Sequence, residues 1–196
     1  MADAKGLVLI PPYDQPGVIA GQGTCGLELA EQATEAGVET GTVLACCGGG
    51  GLSAGIALAL RARAPGLTLR PVEPAGFDDM ARSLAAGERL ANPAASGSIC
   101  DAILTNSPGE LTFPVLQHLA GPGLVVSDDE ALRAVALAYE RLKLVLEPGG
   151  AVALAAALFH TGAVEGDAVI AVATGGNVDA GVFQRALATL PTSGQS

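Results

Sequence analysis

Short, mostly aliphatic runs alternate along this chain with longer segments rich in Ala and Leu. The short runs predict strands, and an apolar run such as residues 42–47 is typical of a strand buried on both faces. The longer segments have the length and composition of helices. The alternation predicts an α/β fold, with a mainly parallel sheet and helices on both faces. We predict strands at residues 7–10, 42–47, 67–73, 124–126 and 168–174, and helices at residues 24–34, 52–64, 77–86, 128–146, 151–160 and 179–190.

Polar residues mark two of the predicted helix starts. Thr24 is a candidate N-cap of the first helix. Ser127 and Glu130 have the spacing of a capping box, in which two side chains satisfy backbone amides at the start of a helix. Residues 92–108 are rich in Gly, Ser, Pro and Asn, so we expect mostly loop there.

Length, composition and charge favour one folded domain. The chain has 196 residues, of which 49% are hydrophobic and 15% charged, so it can bury a core and is not of the disordered class. The formal net charge is −10. An acidic chain repels phosphate backbones and anionic lipids, so we expect no nucleic-acid and no membrane partner.

The first residues and the cysteines predict a cytoplasmic location. The apolar stretch near the N-terminus is too short for a signal peptide. The longest apolar run, residues 151–159, is far shorter than the roughly 18–20 residues of a transmembrane helix. There is no CxxC pair and no disulfide-like framework among the four cysteines, Cys25, Cys46, Cys47 and Cys100.

Four consecutive glycines between a predicted strand and the next helix are the strongest chemical signal. Gly48, Gly49, Gly50 and Gly51 allow the backbone to approach a ligand closely and to point several N–H groups at it. Leu52 opens the helix, whose N-terminal end attracts anions. The segment predicts an anion site, and a flexible strand-to-helix connection is the alternative.

The spacing of the glycines does not identify the anion. No Lys-Ser or Lys-Thr pair follows them, which excludes a Walker-type nucleotide loop. Gly49, Gly51 and Ala54 fit the pattern GxGxxA, and Glu73 ends the next predicted strand about 20 residues later. A dinucleotide site of Rossmann type is therefore a competing interpretation.

Three further segments place polar side chains where strands or helices end. Thr174 follows the last predicted strand and precedes a glycine turn. Glu73, with Asp78 and Asp79 close behind it, can bind a hard divalent cation or can complement the next helix. Glu147 lies at a helix break. Taken singly, Thr174 is better explained as part of a turn and Glu147 as a helix end, whereas cation binding and helix capping explain Glu73, Asp78 and Asp79 about equally well.

Taken together, these segments resemble the fold-type II pyridoxal-phosphate enzymes, whose large domain is tryptophan synthase β-like. Within that family they are similar to threonine/serine dehydratases and serine racemases. The resemblance covers about residues 6–190, with the segments in the family's order. The similar segments are IAGQGT at residues 19–24, the phosphate loop GGGGL at 48–52, EP…DD at 73–79, the long-helix end at 142–148 and the family's SGGNVD at 174–179.

The resemblance assigns roles to the residues singled out above. It implies that the amides of residues 48–52 hold the phosphate of pyridoxal 5′-phosphate. It implies a hydrogen bond between Thr174 and the pyridine nitrogen, with Glu147 near the ring in a supporting role. Because a neutral hydroxyl cannot protonate the ring, this arrangement suits β-elimination better than transamination. The carboxylates of Glu73 and Asp79 and the carbonyl of Phe77 match the family's Mg²⁺ or Ca²⁺ ligands.

The implied activity is a pyridoxal-phosphate-dependent dehydratase. It would remove water from threonine or serine to give a 2-oxo acid and ammonia. The partners implied are a small amino-acid substrate and a second copy of the complete enzyme. Serine racemase and hydroxyaspartate dehydratase activity are alternatives within the same family, and the sequence does not separate them.

One departure from the family concerns lysine. The family's Schiff-base lysine lies in an N-terminal Ser-x-Lys-x-Arg segment, and this sequence contains only Lys5 and Lys143. We expect Lys143 to be a solvated side chain in the helix at residues 128–146. We therefore expect residues 1–190 to be the C-terminal, mostly large-domain part of such an enzyme, with residues 191–196 as a tail, the lysine-bearing part absent and no activity alone. An NAD-binding module and a non-catalytic fragment or pseudoenzyme are the competing functions.

Overall fold

Four parallel strands form the central sheet within residues 6, 8 and 10–191, the part of the chain that the computed structural model describes. All three neighbouring pairs are parallel, so the predicted fold class is confirmed. The strands are β1 (Gly41–Cys46), β2 (Leu67–Pro74), β3 (Leu124–Val126) and β4 (Ala168–Ala171), in the spatial order β3-β2-β1-β4.

Helices cover both faces of this sheet. In the described residues, no helix is both long and apolar enough to cross a bilayer. Two short 3₁₀ helices lie at Asp101–Ile103 and Thr161–Ala163, and a π-helix lies at Ala138–Leu142. The α-helices are α1 (Pro16–Glu35), α2 (Gly51–Arg63), α3 (Asp79–Ala86), α4 (Thr112–Leu119), α5 (Asp128–Leu137), α6 (Pro148–Phe159) and α7 (Ala180–Leu187).

Strand β1 lies between two hydrophobic cores. Val43 and Ala45 face the core formed with α1, α2 and α4, whereas Leu44 and Cys46 face the core formed with α5, α6 and α7. Successive residues of a strand point to opposite faces, so an apolar run is what a strand covered on both faces requires. Every residue of β1 is buried, which confirms the prediction for this strand.

Helix α1 begins at Pro16, with Gln15 as its N-cap. The prediction that Thr24 is the N-cap is wrong, because Thr24 lies inside the helix. Packing against α2 explains the longer helix: a Cβ added to Gly55 would lie 2.6 Å from the backbone nitrogen of Gly23. Close contact between the two helices compensates for the poor helix propensity of glycine.

The long helix predicted at residues 128–146 is wrong in its second half. The capping box of Ser127 and Glu130 is present as predicted, but α5 ends at Leu137 and the π-helix follows. Lys143 then has a left-handed backbone, with φ of 59°, so it is not in an amphipathic helix. No Gly or Pro interrupts residues 138–146, and the sequence therefore carries no stop signal there.

Several other boundaries differ from the predictions. Strand β4 lies at the edge of the sheet, and Val169 is 42% exposed, so the prediction of a buried strand at residues 168–174 is wrong. Helix α3 begins at Asp79 rather than at Phe77. Helix α4 was not predicted, because its eight residues carry no capping signal. The strand predicted at residues 7–10 includes residues 7 and 9, which lie outside the described part.

Candidate active site

A cavity of about 370 Å³ opens at the carboxyl end of β1. Ligands of parallel α/β sheets bind at this end of the strands. A larger cavity of about 530 Å³ lies on the outer surface of α1 and α2, away from the candidate residues. The first cavity is lined by residues 48–52, residues 102–105, Pro12, Tyr13 and Cys46.

The glycine loop presents its backbone amides to this cavity. Among the described residues, no protein acceptor is bound by the N–H groups of residues 48–52. The carbonyl of Gly49 accepts hydrogen bonds from the amide of Gly109 at 3.1 Å and the hydroxyl of Thr112 at 2.5 Å. Because C=O and N–H point in opposite directions across a trans peptide, this fixes the N–H of Gly50 away from Thr112. The loop therefore holds its shape while its donors stay available to an anion.

Side chains larger than hydrogen do not fit in this loop. A Cβ on Gly50 would lie 2.9 Å from the Cε of Met80 and 2.9 Å from the Oγ1 of Thr112. Gly50 also has φ of 94°, in the left-handed region that favours glycine. A Cβ on Gly51 would lie 2.9 Å from the Cα of Tyr13. The space and the donors fit the phosphate of pyridoxal 5′-phosphate.

Tyr13 is a cavity residue that the sequence analysis missed. Its ring packs against Gly49. Its neighbour Asp14 accepts hydrogen bonds from the amides of Glu110 and Leu111, at 2.9 and 2.8 Å, which ties this segment to the start of α4. The available signal was the rarity of aromatic residues, which make up 3% of the chain.

Thr174 and Glu147 lie together at the same edge of the sheet. The amide of Thr174 donates to the carbonyl of Gly150 at 3.3 Å, and the amide of Glu147 donates to the carbonyl of Gly175 at 2.9 Å. Thr174 Oγ1 lies 3.4 Å from the Sγ of Cys46, and Cys46 lines the cavity. The structure thus brings two predicted site residues, which are far apart in sequence, next to the glycine loop.

Glu73 is fully buried and caps helix α3. Its two carboxylate oxygens accept hydrogen bonds from the amides of Met80 and Ala81, at 2.9 and 2.7 Å. Burial raises the pKa of Glu73 well above its usual value, although these two hydrogen bonds lower it in part. Glu73 is completely buried and turned toward the start of α3, so it does not reach a position where it could contact a ribose hydroxyl. The interpretation of Gly49, Gly51, Ala54 and Glu73 as a dinucleotide site is therefore wrong.

Asp79 is also buried, close to the cavity wall. Its carboxylate accepts a hydrogen bond from the side-chain amide of Asn92 at 2.6 Å and a weak one from Thr105 at 3.5 Å. Burial raises the pKa of Asp79 to about 6. Asn92 was not singled out from the sequence, because it sits in a segment predicted only as loop.

The next question is whether the oxygen atoms of Glu73 and Asp79 could bind a divalent cation. All the predicted ligands, including the carbonyl of Phe77, are oxygen atoms, which suit Mg²⁺ or Ca²⁺. Each carboxylate oxygen keeps a lone pair after accepting one hydrogen bond. Within the described residues, no group of three or more His, Cys, Asp or Glu side chains could hold a metal ion, so a cation here depends on the Phe77 carbonyl and water. The divalent-cation site at Glu73, Phe77 and Asp79 therefore stays a prediction.

Curated relatives share this sequence over most of its length. Serine racemase from Oryza sativa subsp. indica is 38% identical over 190 residues, which covers 94% of this chain and 54% of the relative. L-threo-3-hydroxyaspartate ammonia-lyase from Saccharomyces cerevisiae is 36% identical, covering 91% of this chain and 53% of the relative. Catabolic L-threonine dehydratase from Escherichia coli K12 is 34% identical, with shares of 91% and 54%. The chain thus spans about half the length of these curated relatives.

Solved structures show the same fold. The T.th. threonine deaminase has a TM-score of 0.85 at 44% identity, covering 91% of this chain and 63% of that one. Maize serine racemase has a TM-score of 0.83 at 36% identity, covering 95% and 56%. The family model described as pyridoxal-phosphate dependent enzyme matches residues 1–175. The chain therefore belongs to the pyridoxal-phosphate-dependent enzymes of fold-type II.

Proposed function

We propose that this chain forms the cofactor-binding part of a dehydratase for small β-hydroxy amino acids. The observation that carries the proposal is the glycine loop: the amides of residues 48–52 have no protein acceptor within the described residues and line a cavity of about 370 Å³. Cys46, Thr174 and Glu147 lie at the same cavity edge. These groups supply phosphate donors at one side and a polar contact for an aromatic ring at the other.

The residues of this chain would bind and orient pyridoxal phosphate. The five amides and the N-terminal end of α2 would neutralise the charge of the phosphate. Thr174 would hydrogen-bond the pyridine nitrogen without transferring a proton to it. When bound, the cofactor supplies an electron-withdrawing group that stabilises negative charge at the α-carbon of the substrate. A neutral ring partner limits how far that charge spreads, which favours loss of a β-hydroxyl.

The substrate class follows from the named relatives. Serine racemase, L-threo-3-hydroxyaspartate ammonia-lyase and L-threonine dehydratase carry the names of small amino acids that have a β-hydroxyl. The proposed overall reaction removes water and then, by hydrolysis, yields a 2-oxo acid and ammonia. Racemisation of serine is the alternative within the family. For the complete enzyme we further propose a homodimer, which sedimentation analysis would test.

The proposal includes a divalent cation bound by Glu73, Asp79 and the carbonyl of Phe77. Two buried carboxylates support it, since burial raises the pKa of both and the charge of Asp79 raises the pKa of Glu73 further. A cation would offset this repulsion. Internal capping of α3 by Glu73 and bonding of Asp79 to Asn92 are the competing explanation.

Binding of a cofactor analogue tests the proposed function. Pyridoxine 5′-phosphate has the ring and the phosphate but no aldehyde, so it does not react with lysines. The chain has no Trp, which leaves the analogue's fluorescence unobscured. We expect saturable binding that inorganic phosphate displaces. Absence of binding at millimolar analogue, or tighter binding of NAD than of the analogue, would contradict the proposal.

A further inference from the structure

Cys46 meets Thr174 at the edge of the cavity. It is the last residue of β1, and its Sγ lies 3.4 Å from the Oγ1 of Thr174. The contact follows from the topology: β1 and β4 are parallel neighbours, so the segments that leave their carboxyl ends lie side by side. Cys46 also lines the cavity in front of the glycine loop. It therefore connects the ring end of the candidate site to the phosphate end.

The Cys46 thiol is able to donate in this contact. Burial raises the pKa of Cys46 above its usual value; the contact with Thr174 lowers it in part, and the nearby charge of Glu147 raises it again. The thiol therefore keeps its proton at neutral pH. A hydroxyl can accept one hydrogen bond while it donates another. If the thiol donates to Oγ1, the proton of Thr174 stays available to a second acceptor.

We propose that Cys46 is a positioning residue, which donates to Thr174 and thereby directs the hydroxyl proton of Thr174 toward a pyridine nitrogen in the cavity. The inference rests on the proposed function and deepens it. The ligand favoured by this arrangement carries an unprotonated ring nitrogen, since that nitrogen must accept a hydrogen bond. The affinity for a phosphate ester without such a nitrogen should not depend on the contact between Cys46 and Thr174.

The adjacent Cys47 provides a matched control. It is buried like Cys46, but it belongs to the core on the other face of the sheet. Its thiol donates to the carbonyl of Gly48 at 3.3 Å and is not in contact with Thr174. Replacing Cys47 tests the cost of losing a buried thiol beside the loop without touching the proposed contact.

Two probes separate the ring contact from the phosphate contact. Pyridoxine 5′-phosphate carries the ring nitrogen, and phenyl phosphate does not. For Cys46→Ala we expect the dissociation constant of pyridoxine 5′-phosphate to increase by a factor of about three to ten, which is the range for loss of one neutral hydrogen bond. Affinity for phenyl phosphate, measured by displacement, should not change. Cys46→Ser should restore binding of the first probe. Cys47→Ala removes a contact with the loop carbonyl of Gly48 only, so any change in affinity should be the same for both probes.

A double variant tests whether Cys46 acts through Thr174. Thr174→Val removes the hydroxyl, so adding Cys46→Ala to it should cause no further loss of affinity. Thermal melting of each variant checks folding. If Cys46→Ala does not melt cooperatively, Cys46→Val, which fills the space without a donor, takes its place in the same comparisons.

The outcomes are distinguishable. The inference would be overturned if Cys46→Ala and Cys47→Ala lost the same affinity for pyridoxine 5′-phosphate, or if Cys46→Ala lost the same affinity for both probes. It would also be overturned if Cys46→Ala lost no affinity, or if the losses in the double variant were additive. Each of these results would leave the cofactor site intact. If the unmodified chain binds neither probe, the proposed function itself fails and the inference falls with it.

Discussion

The backbone amide of Glu147 donates to the carbonyl of Gly175 at 2.9 Å, and the carboxylate of Glu147 fills the space beside the Cα of Gly175. This contact joins the N-cap of α6 to the turn that follows β4. Together with the bond from the amide of Thr174 to the carbonyl of Gly150, this contact holds the candidate ring-side residues in place.

Gly175→Ala should destabilise the chain modestly. The three atoms nearest to the added methyl group all belong to the carboxylate of Glu147, the end of a flexible side chain, so we expect the free energy of unfolding to fall by about 1 kcal/mol. Glu147→Ala in the same chain should remove that cost. Gly150→Ala should cost more, because its Cβ would lie 2.8 Å from the backbone nitrogen of Gly175. Urea unfolding compares the variants, and equal losses for Gly175→Ala and Gly150→Ala would contradict this account.

Gly50→Asp should abolish binding of pyridoxine 5′-phosphate. Its side chain would collide with Met80 and Thr112, and its carboxylate would repel the phosphate. Gly37→Asp is the matched control: Gly37 has φ of 72° and no atom within 4 Å of an added Cβ. Fluorescence titration should show normal affinity for Gly37→Asp. Unchanged affinity in Gly50→Asp would show that the loop does not bind the phosphate.

Mg²⁺ or Ca²⁺ should raise the melting temperature of the chain relative to chelator. A cation that binds only the folded state stabilises it by mass action. Asp79→Ala should remove most of this gain. Asp78→Ala should keep it, since Asp78 forms an ion pair with Arg82 at 3.4 Å and is not among the proposed ligands. Equal melting temperatures with and without the cation would favour the competing explanation, in which Glu73 caps α3 and Asp79 bonds to Asn92.

Glu130 should make the stability of the α5–α6 junction depend on pH. Burial raises its pKa, but hydrogen bonds from Ser127 and the contact with His160 at 3.0 Å outweigh burial and leave the pKa below its usual value. The stability it contributes is therefore present above the unfolded pKa, near 4.5, and is lost as the pH falls through the lower folded value.

Glu130→Gln isolates this contribution in urea unfolding at several pH values. At pH 7 the variant should be less stable by about 1 kcal/mol, and the difference should shrink between pH 5 and pH 3. Asp129→Asn, an exposed acidic residue of the same helical turn, should show a smaller pH dependence. A difference that stays constant over this range would exclude a titrating Glu130 as its source.

This chain on its own should not convert threonine or serine to a 2-oxo acid in the presence of pyridoxal phosphate. Of its two lysines, Lys143 is exposed, and its Nζ donates to the carbonyl of Glu140 at 2.7 Å; Lys5 lies outside the described residues. Turnover of about 1 s⁻¹ or more would contradict this prediction. Lys143→Ala would then show whether Lys143 acts as the Schiff-base lysine.

Sequence alone determined the α/β class, the buried strand β1 and the capping box of Ser127. Each of these follows from local patterns: apolar runs, their alternation with helical segments, and the spacing of two polar residues. The glycine loop was also predictable, because four glycines in a row indicate available backbone donors whatever surrounds them.

Only the tertiary structure shows which segments far apart in the sequence come into contact. The contact of Thr174 with Cys46 depends on β1 and β4 being neighbours, and the position of Tyr13 against Gly49 depends on Asp14 bonding to the start of α4. The true start of α1 depends on packing with α2. These features arise from contacts between segments far apart in the chain, and such contacts override local propensity because they bury surface and satisfy backbone groups that no neighbouring residue can reach.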